Sequence, residues 1–153
     1  WTAIRGEFME NNFEHRVRTG FEKQGFMSTI GAQLAEVQPG FCRIRLAFSE
    51  QVAQQHGFFH GGVISAMADN AAGFAGYSLM SSDEQPLSVE FKINFLAPAI
   101  GEILEARGKV LRSGRRLKHV NVEVFCLDNG AETLVAIALA TIASSRSVRE
   151  IPG

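Results

Sequence analysis

Only one stretch of this chain has the length and apolar content of a buried helix, and the residues after it run in period two. The segment His60-Gly61-Gly62-Val63-Ile64-Ser65-Ala66-Met67-Ala68-Asp69-Asn70-Ala71-Ala72-Gly73 opens on glycines, and its middle is apolar or small except for one carboxylate and one amide. Aspartate is a mediocre helix former and is rarely buried without a partner. Gly62, Ser65, Ala66, Asp69, Gly73 and Gly76 recur three or four apart and so share a face. Each interior glycine costs the helix about 1 kcal/mol relative to alanine. An ordinary core helix with one aspartate at its edge is the plain explanation. The glycines at both ends favour another, in which a second backbone or a ligand comes very close.

The surrounding pattern limits how such a helix can be buried. Phe13, Val17 and Phe21 mark one stripe of an amphipathic helix over 8–24, stopped by Gly25. Residues 31–37 and 41–48 alternate around Pro39-Gly40 and predict a hairpin. A polar loop over 51–59 leads into the long helix, which is expected to run to about residue 80, with a loop over 81–86. Val89, Phe91, Ile93 and Phe95 then share one strand face, and Ser88, Glu90, Lys92 and Asn94 the other. Long strands come next at 103–111, 117–127 and 133–143, with turns at Ser113-Gly114-Arg115 and Asp128-Asn129-Gly130. The last eight or so residues have the composition of a loose tail. The expected fold is therefore α+β, in the order α-β-β-α-β-β-β-β. A six-stranded, mostly antiparallel sheet wraps around one long central helix, with a short N-terminal helix beside it. The outer sheet face and the edge strands are left for a partner subunit to cover.

At 153 residues the chain is expected to form one domain over 1–153, with its core at about 29–145. A net charge of -1 gives no reason to expect nucleic acid or an anionic membrane as partner. No apolar run approaches the roughly 18 residues of a membrane span. Residues 1–14 lack the basic-then-apolar pattern of a signal peptide, so the expected compartment is the cytoplasm. Cys42 and Cys126 sit in strand-like apolar runs and are read as buried thiols. No His/Cys cluster has ligand spacing, so no metal is expected.

A glycine-rich helix start offers free N–H groups and the positive end of the dipole, which suits an anion or a carbonyl oxygen becoming one. Gly61 lets a substrate approach its N–H closely, and Asp69 is a candidate general base or nucleophile. The two are eight residues apart, about 12 Å along a helix axis. They cannot both touch one reacting carbonyl. Either they are unrelated, or the site combines Gly61 of one subunit with Asp69 of another, as an antiparallel pair of helices in a two-fold dimer would allow.

These residues resemble the hotdog-fold acyl-CoA thioesterases, in particular the phenylacetate-degradation (PaaI-like) and 4-hydroxybenzoyl-CoA thioesterase branch. The resemblance rests on 54–73 with His60-Gly61-Gly62 and Asp69, and on Ser88-Val89-Glu90-Phe91-Lys92-Ile93-Asn94-Phe95-Leu96-Ala97-Pro98. Gly114-Arg115-Arg116 and the closing Leu134-Val135-Ala136 strand extend it to about 31–144. It implies a sheet wrapped around one long helix, in a homodimer often paired again as a dimer of dimers. It also implies hydrolysis of an acyl-CoA to free acid and coenzyme A, with no cofactor, coenzyme A being part of the substrate. The Gly61 amide would polarise the thioester carbonyl, and Asp69 of the opposite subunit would act as nucleophile or as base on water. Gln54, or Gln55 after a one-residue shift, would orient the water or the thioester, and Ser88 would help hold the water. His60 is expected to bond loop backbone and place the Gly61 amide, with Gly62 beside it. Phe58 and Phe59 are the candidate acyl contacts, and Arg115 and Arg116 the candidate coenzyme A phosphate contacts. Two other readings remain at this point: a hotdog hydratase or dehydratase acting on enoyl thioesters, and a non-catalytic acyl-CoA-binding protein.

Overall fold

The computed structural model describes residues 13–146. The start of the helix expected from residue 8, and the tail expected at the C-terminus, lie outside the described residues. Helix α1 covers 13–22 and buries Val17 and Phe21. Gly25 was expected to stop the helical region, but it opens a second helix, α2 (Gly25–Ile30), after an extended Gln24. Six residues are too few to show a helical period in sequence. Then come β1 (Gln33–Gln38), β2 (Phe41–Ala47), a 3₁₀ turn at Glu50–Val52, α3 (Gly61–Tyr77), β3 (Gln85–Phe95), β4 (Ile103–Ser113), β5 (Leu117–Asp128) and β6 (Ala131–Ser145). All five strand pairings are antiparallel, in the order β1-β2-β4-β5-β6-β3. The turn between β5 and β6 has Asn129 and Gly130 both at positive φ, the two-residue geometry that matches strand twist.

This strand order dictates where α3 lies. The chain leaves β2 near one edge and must reach β3 at the other, so α3 crosses a whole face of the sheet. Met67, Ala68, Ala71, Ala72 and Ala75 are fully buried along it. The closest approach is to β4, where a side chain carbon at Gly108 would stand 2.4 Å from the Ala71 carbonyl oxygen. No side chain fits between these backbones, so the small residues of both elements set the depth of the helix. At its C-terminus α3 stops at Tyr77, short of the expected residue 80. Ser78 Oγ donates to Ala75 O at 2.7 Å and accepts from Gly40 N–H at 2.8 Å. From α1, Arg16 donates to the carbonyls of Tyr77 and Met80 and lies over the Tyr77 ring, placing a cation at the negative end of the helix.

One departure in β3 changes which side chains face the helix. Pairing with β6 runs Ser88↔Ile142 and then Glu90↔Thr141, so Val89 is an extra, unpaired residue. This bulge overturns the expected alternation. Ser88 faces the helix with Phe91 and Ile93, while Glu90 faces the opposite way and accepts from Thr141 Oγ1. A bulged strand re-aims a side chain without giving up its ladder on either side.

The face away from α3 carries a charged network around Glu105, whose side chain is 0% exposed. Arg45 and Arg107 both bond its carboxylate, and Arg43 lies 4.0 Å away. Arg43 also pairs with Glu36, and Arg107 passes 4.2 Å over the Phe125 ring to reach Glu132 on β6. Burial alone would raise the Glu105 pKa. The hydrogen bonds from Arg45 and Arg107, with their charges, outweigh that and hold it below the usual carboxylate range. A carboxyl with a depressed folded-state pKa stabilises the fold above its unfolded value of about 4.3, and that contribution disappears as pH falls through the folded value. Glu105→Gln should therefore destabilise the protein at pH 7 by roughly 2–4 kcal/mol, near the lower end for a broken buried pair because the arginines stay partly in water. It should also flatten the loss of stability below pH 5. Urea unfolding from pH 3 to 7 checks both, and an acid limb as steep as in the unsubstituted protein would remove Glu105 as its source.

Candidate active site

The structure sorts the candidate residues into two groups at opposite ends of β3. At one end Ser88 Oγ donates to Asp69 Oδ1 at 2.7 Å, joining the strand to the middle of α3. The bulge at Val89 makes this bond geometrically available. Asp69 is half-buried, and a cleft of about 90 Å³ opens beside it between Ser88, Asn70 and Gly73. Asn70 and Gln24, which also lines this cleft, carry no sequence signal for a site role. Each is an ordinary polar residue until α3 and the α1–α2 joint are placed side by side.

At the other end is the start of α3. His60 is its N-cap in extended conformation, and its Nδ1 accepts from Gly62 N–H at 2.8 Å. An accepting Nδ1 places the proton of the neutral ring on Nε2. A side chain carbon at Gly62 would lie 3.0 Å from that Nδ1, so the glycine makes room for the cap. With Gly62 N–H taken, Gly61 N–H is the free donor of the first turn: its position gives it no acceptor within the helix, and it bonds no backbone carbonyl among the described residues. The Phe95 ring, at the far end of β3, lies 3.5 Å from where a Gly61 side chain carbon would be.

Gln54 belongs to the loop before this helix start. It closes a tight turn through Gln54 N–H to Phe58 O at 2.8 Å and Gly57 N–H to Gln54 O at 3.0 Å, and its Oε1 accepts from His56 N–H. The carboxamide oxygen is thus used within the loop, while the Nε2 end keeps hydrogens to give. Gln55 is exposed beside it. Phe59 corrects an expectation. It is 3% exposed, with its ring edge-on to Phe48 at 5.2 Å, and is a core residue rather than a wall open to a ligand. Phe58 is half-buried and faces the His56 ring.

Arg115 and Arg116 lie in the β4–β5 turn, away from Gly61 but close to the Ser88 end. With Arg146, Glu84 and Ser144 they line a cavity of about 360 Å³. Ser144 pairs with Pro86, two residues along from the Ser88↔Ile142 pair, a step of about 7 Å. Lys118 is 3% exposed beneath the turn and donates to Gly114 O and to Ser144 Oγ. Ser81 bonds both Asp83 and Glu84 and keeps their carboxyls below the usual range. Among the described residues no group of three or more His, Cys, Asp or Glu is placed to hold a metal ion. No helix among them is long and apolar enough to cross a membrane.

His60→Ala removes the N-terminal side-chain cap of α3 and should lower stability by about 1 kcal/mol. Gly62→Ala should cost a similar amount by displacing the imidazole. Combined, the two substitutions should cost clearly less than the sum of the single ones, because they act on one hydrogen bond. Thermal unfolding of the four proteins measures this, and full additivity would separate the glycine from the cap.

Comparison with known proteins agrees with this fold. The family model described as the thioesterase superfamily matches residues 56–133. The chain is 36% identical to a thioesterase family protein from Silicibacter pomeroyi, covering 86% of this chain and 97% of that one, with a TM-score of 0.84. It is 27% identical over 119 residues to a 1,4-dihydroxy-2-naphthoyl-CoA hydrolase of Listeria monocytogenes, covering 78% of this chain and 94% of that protein. The PaaI protein of the E. coli phenylacetic acid degradation operon shares the fold, with a TM-score of 0.79 at 18% identity over 90% of this chain and 96% of that one. With a sheet wrapped around one helix in the hotdog manner and a family match over half its length, the chain belongs to the thioesterase superfamily.

Proposed function

We propose that this protein is an acyl-CoA thioesterase that works as a homodimer, with each active site shared between two subunits. The observation that carries the reading is the position of the two half-sites on one exposed edge. The strand β3 is the last in the sheet, eleven residues long, with Leu87, Val89 and Phe95 each more than half exposed. Such an edge presents a row of unpaired N–H and C=O groups that a second copy can pair with. Antiparallel pairing of two β3 strands about an axis between Phe91 and Lys92 sets Ser88 of one subunit opposite Phe95 of the other. Ser88 holds Asp69, and Phe95 lies against Gly61. The same symmetry therefore brings Asp69 of each subunit to the helix start of its neighbour, and two equivalent sites result.

In this arrangement the thioester carbonyl oxygen accepts from the free Gly61 N–H, where the helix dipole favours the negative charge that develops on it. Asp69 either takes a proton from the attacking water or attacks the carbonyl carbon itself, and in the second case water then cleaves the resulting anhydride and restores the carboxylate. Ser88 occupies Oδ1 and leaves Oδ2 for that step, while Gln54 Nε2 donates to the water or the carbonyl. The C–S bond breaks, the thiolate of coenzyme A takes a proton, and the acid is released. The arginines at 115, 116 and 146 lie near the Ser88 end with an excess of positive charge, a suitable contact for the phosphates of coenzyme A. The match to a hydrolase of an aryl acyl-CoA supports the substrate class.

Asp69→Asn should lower kcat by about 10²–10⁴ with the dimer intact. The amide donor can be deleted cleanly by Gly61→Pro. Proline suits the first position of a helix, His60 before it is already extended, and a side chain carbon at this position makes only ordinary contact with Phe95. Its kcat should fall by about 10²–10³. In heterodimers of the two variants one site keeps both Gly61 and Asp69, so mixing inactive homodimers should restore up to half the activity per dimer. Thiol release from verified heterodimers tests this, and no recovery would refute the shared site. Arg115→Ala and Arg116→Ala should each raise KM for acyl-CoA about three- to tenfold, with little effect on thioesters of short thiols that lack the nucleotide.

A further inference from the structure

We infer that Lys118 is a positioning residue for acyl-CoA. From beneath the β4–β5 turn it fixes the Arg116 backbone and the Ser144 hydroxyl at the cavity wall, and it turns that hydroxyl into a donor for a phosphate oxygen. This role rests on the thioesterase reading and adds a residue to the nucleotide site of that reading. The sequence of β5 holds the anomaly that points to it. Val120, Val122 and Val124 alternate onto the face turned to α3 and are fully buried. Lys118 is the next member of that series toward the turn, a position where the period calls for an apolar side chain. Its partner across the ladder is Ile142, which is fully buried too.

A lysine at such a position usually runs its stem along the core and lifts the ammonium into water. Lys118 does not, because the whole residue is 3% exposed. Its Nζ donates instead to Gly114 O at 3.2 Å and to Ser144 Oγ at 2.8 Å, and both acceptors are neutral. Among the described residues no carboxylate forms an ion pair with it. Glu84, the one carboxylate on the cavity wall, is bonded to Ser81. A buried ammonium without a counter-ion is a cost to the folded chain, and an anion brought close to it reduces that cost.

The two bonds also carry the charge to the cavity. Gly114 N–H closes the turn on Leu117 O at 2.8 Å, and Ser144 N–H donates to Arg116 O at 2.8 Å. Lys118 therefore ties together the turn that carries Arg116 and the strand that carries Ser144. Ser144 Oγ accepts from a charged donor and keeps its one hydrogen to give, and Ser144 lines the cavity with Arg115 and Arg116. A phosphate oxygen seated there meets two guanidinium groups and a hydroxyl, with the ammonium behind them.

The experiment compares thiol release from the fastest acyl-CoA of a panel with release from the N-acetylcysteamine thioester of the same acid, which has no phosphate. Lys118→Met keeps the length of the stem and removes the charge. Its KM for the acyl-CoA should rise about tenfold, with kcat within about twofold. On the N-acetylcysteamine thioester kcat/KM should change less than about twofold, and Tm should be retained. Ser144→Ala should raise the same KM about three- to tenfold, and it carries the test alone if Lys118→Met does not fold. Combined, the two substitutions should exceed the larger single effect by less than about twofold, because they act through one hydrogen bond. An unchanged KM in either variant, equal losses on both thioesters, or multiplied effects in the double variant would overturn the role of Lys118. Arg115→Ala and Arg116→Ala separate this from the parent reading. If they too leave KM unchanged, the cavity is not the nucleotide site, and if no thioester is hydrolysed the thioesterase reading itself falls.

Discussion

The contact between the backbone of α3 and the backbone of β4, with Gly108 leaving no atom between them, is the constraint on which the rest of the architecture depends. A helix held this close must present small residues to the sheet, which explains the run Ala68, Ala71, Ala72 and Ala75. It also fixes how far the opposite side of the helix rises above the sheet edge. Asp69 sits on the flank turned toward β3, where Ser88 reaches it, and Gly61 stands at the rim where its N–H is open. A bulkier residue at position 108 would lift the whole helix and move both groups together. Core packing and site geometry therefore have one structural cause.

In the proposed dimer, the edge strand β3 converts that placement into a site. It runs beside α3 with Ser88 at the aspartate and Phe95 at the helix start, so one strand records the positions of both half-sites. Their separation along a single helix is too great for both to touch one carbonyl within one chain. Pairing at the edge is what a long unprotected strand invites, and the proposed dimer would turn that hazard to use. The bulge at Val89 belongs to the same design. Without the extra residue, Ser88 would fall on the outer face and Asp69 would lose its bond. With it, the apolar face of β3 keeps Phe91 and Ile93 against the helix.

The features legible in the sequence were those with a local period or a local turn. The four long strands, the hairpin at Asn129-Gly130 and the single apolar helix announce themselves because their signals lie within a few residues of each other. The spacing from Gly61 to Asp69 also needed nothing but helical rise. What escaped depends on neighbours across the fold. The bulge at Val89 shows only when β3 is laid beside β6, because a one-residue slip leaves the composition of the strand unchanged. Glu105 alternates with other polar residues and reads as a solvated face, yet three arginines from two strands close over it. Phe58 and Phe59 are alike in sequence, and their opposite environments come from the short bridge that Phe59 makes with Ala53. Gln24 comes to the cleft only because α2, too short to be seen beforehand, turns the chain there.

The two faces of the sheet divide the labour in a way that bears on how such a protein can diverge. The outer face around Glu105 is charged, internally paired and distant from β3, so it ties β1, β2, β4 and β6 together without reference to any ligand. The inner face near Asp69 leaves a glycine open and an amide oxygen unpaired, features that stabilise nothing in the chain alone. Substitutions at Gly108 or Glu105 act on the frame instead. A fold organised in this way keeps its frame independent of the residues around Asp69, so the surface there can change while the sheet is retained.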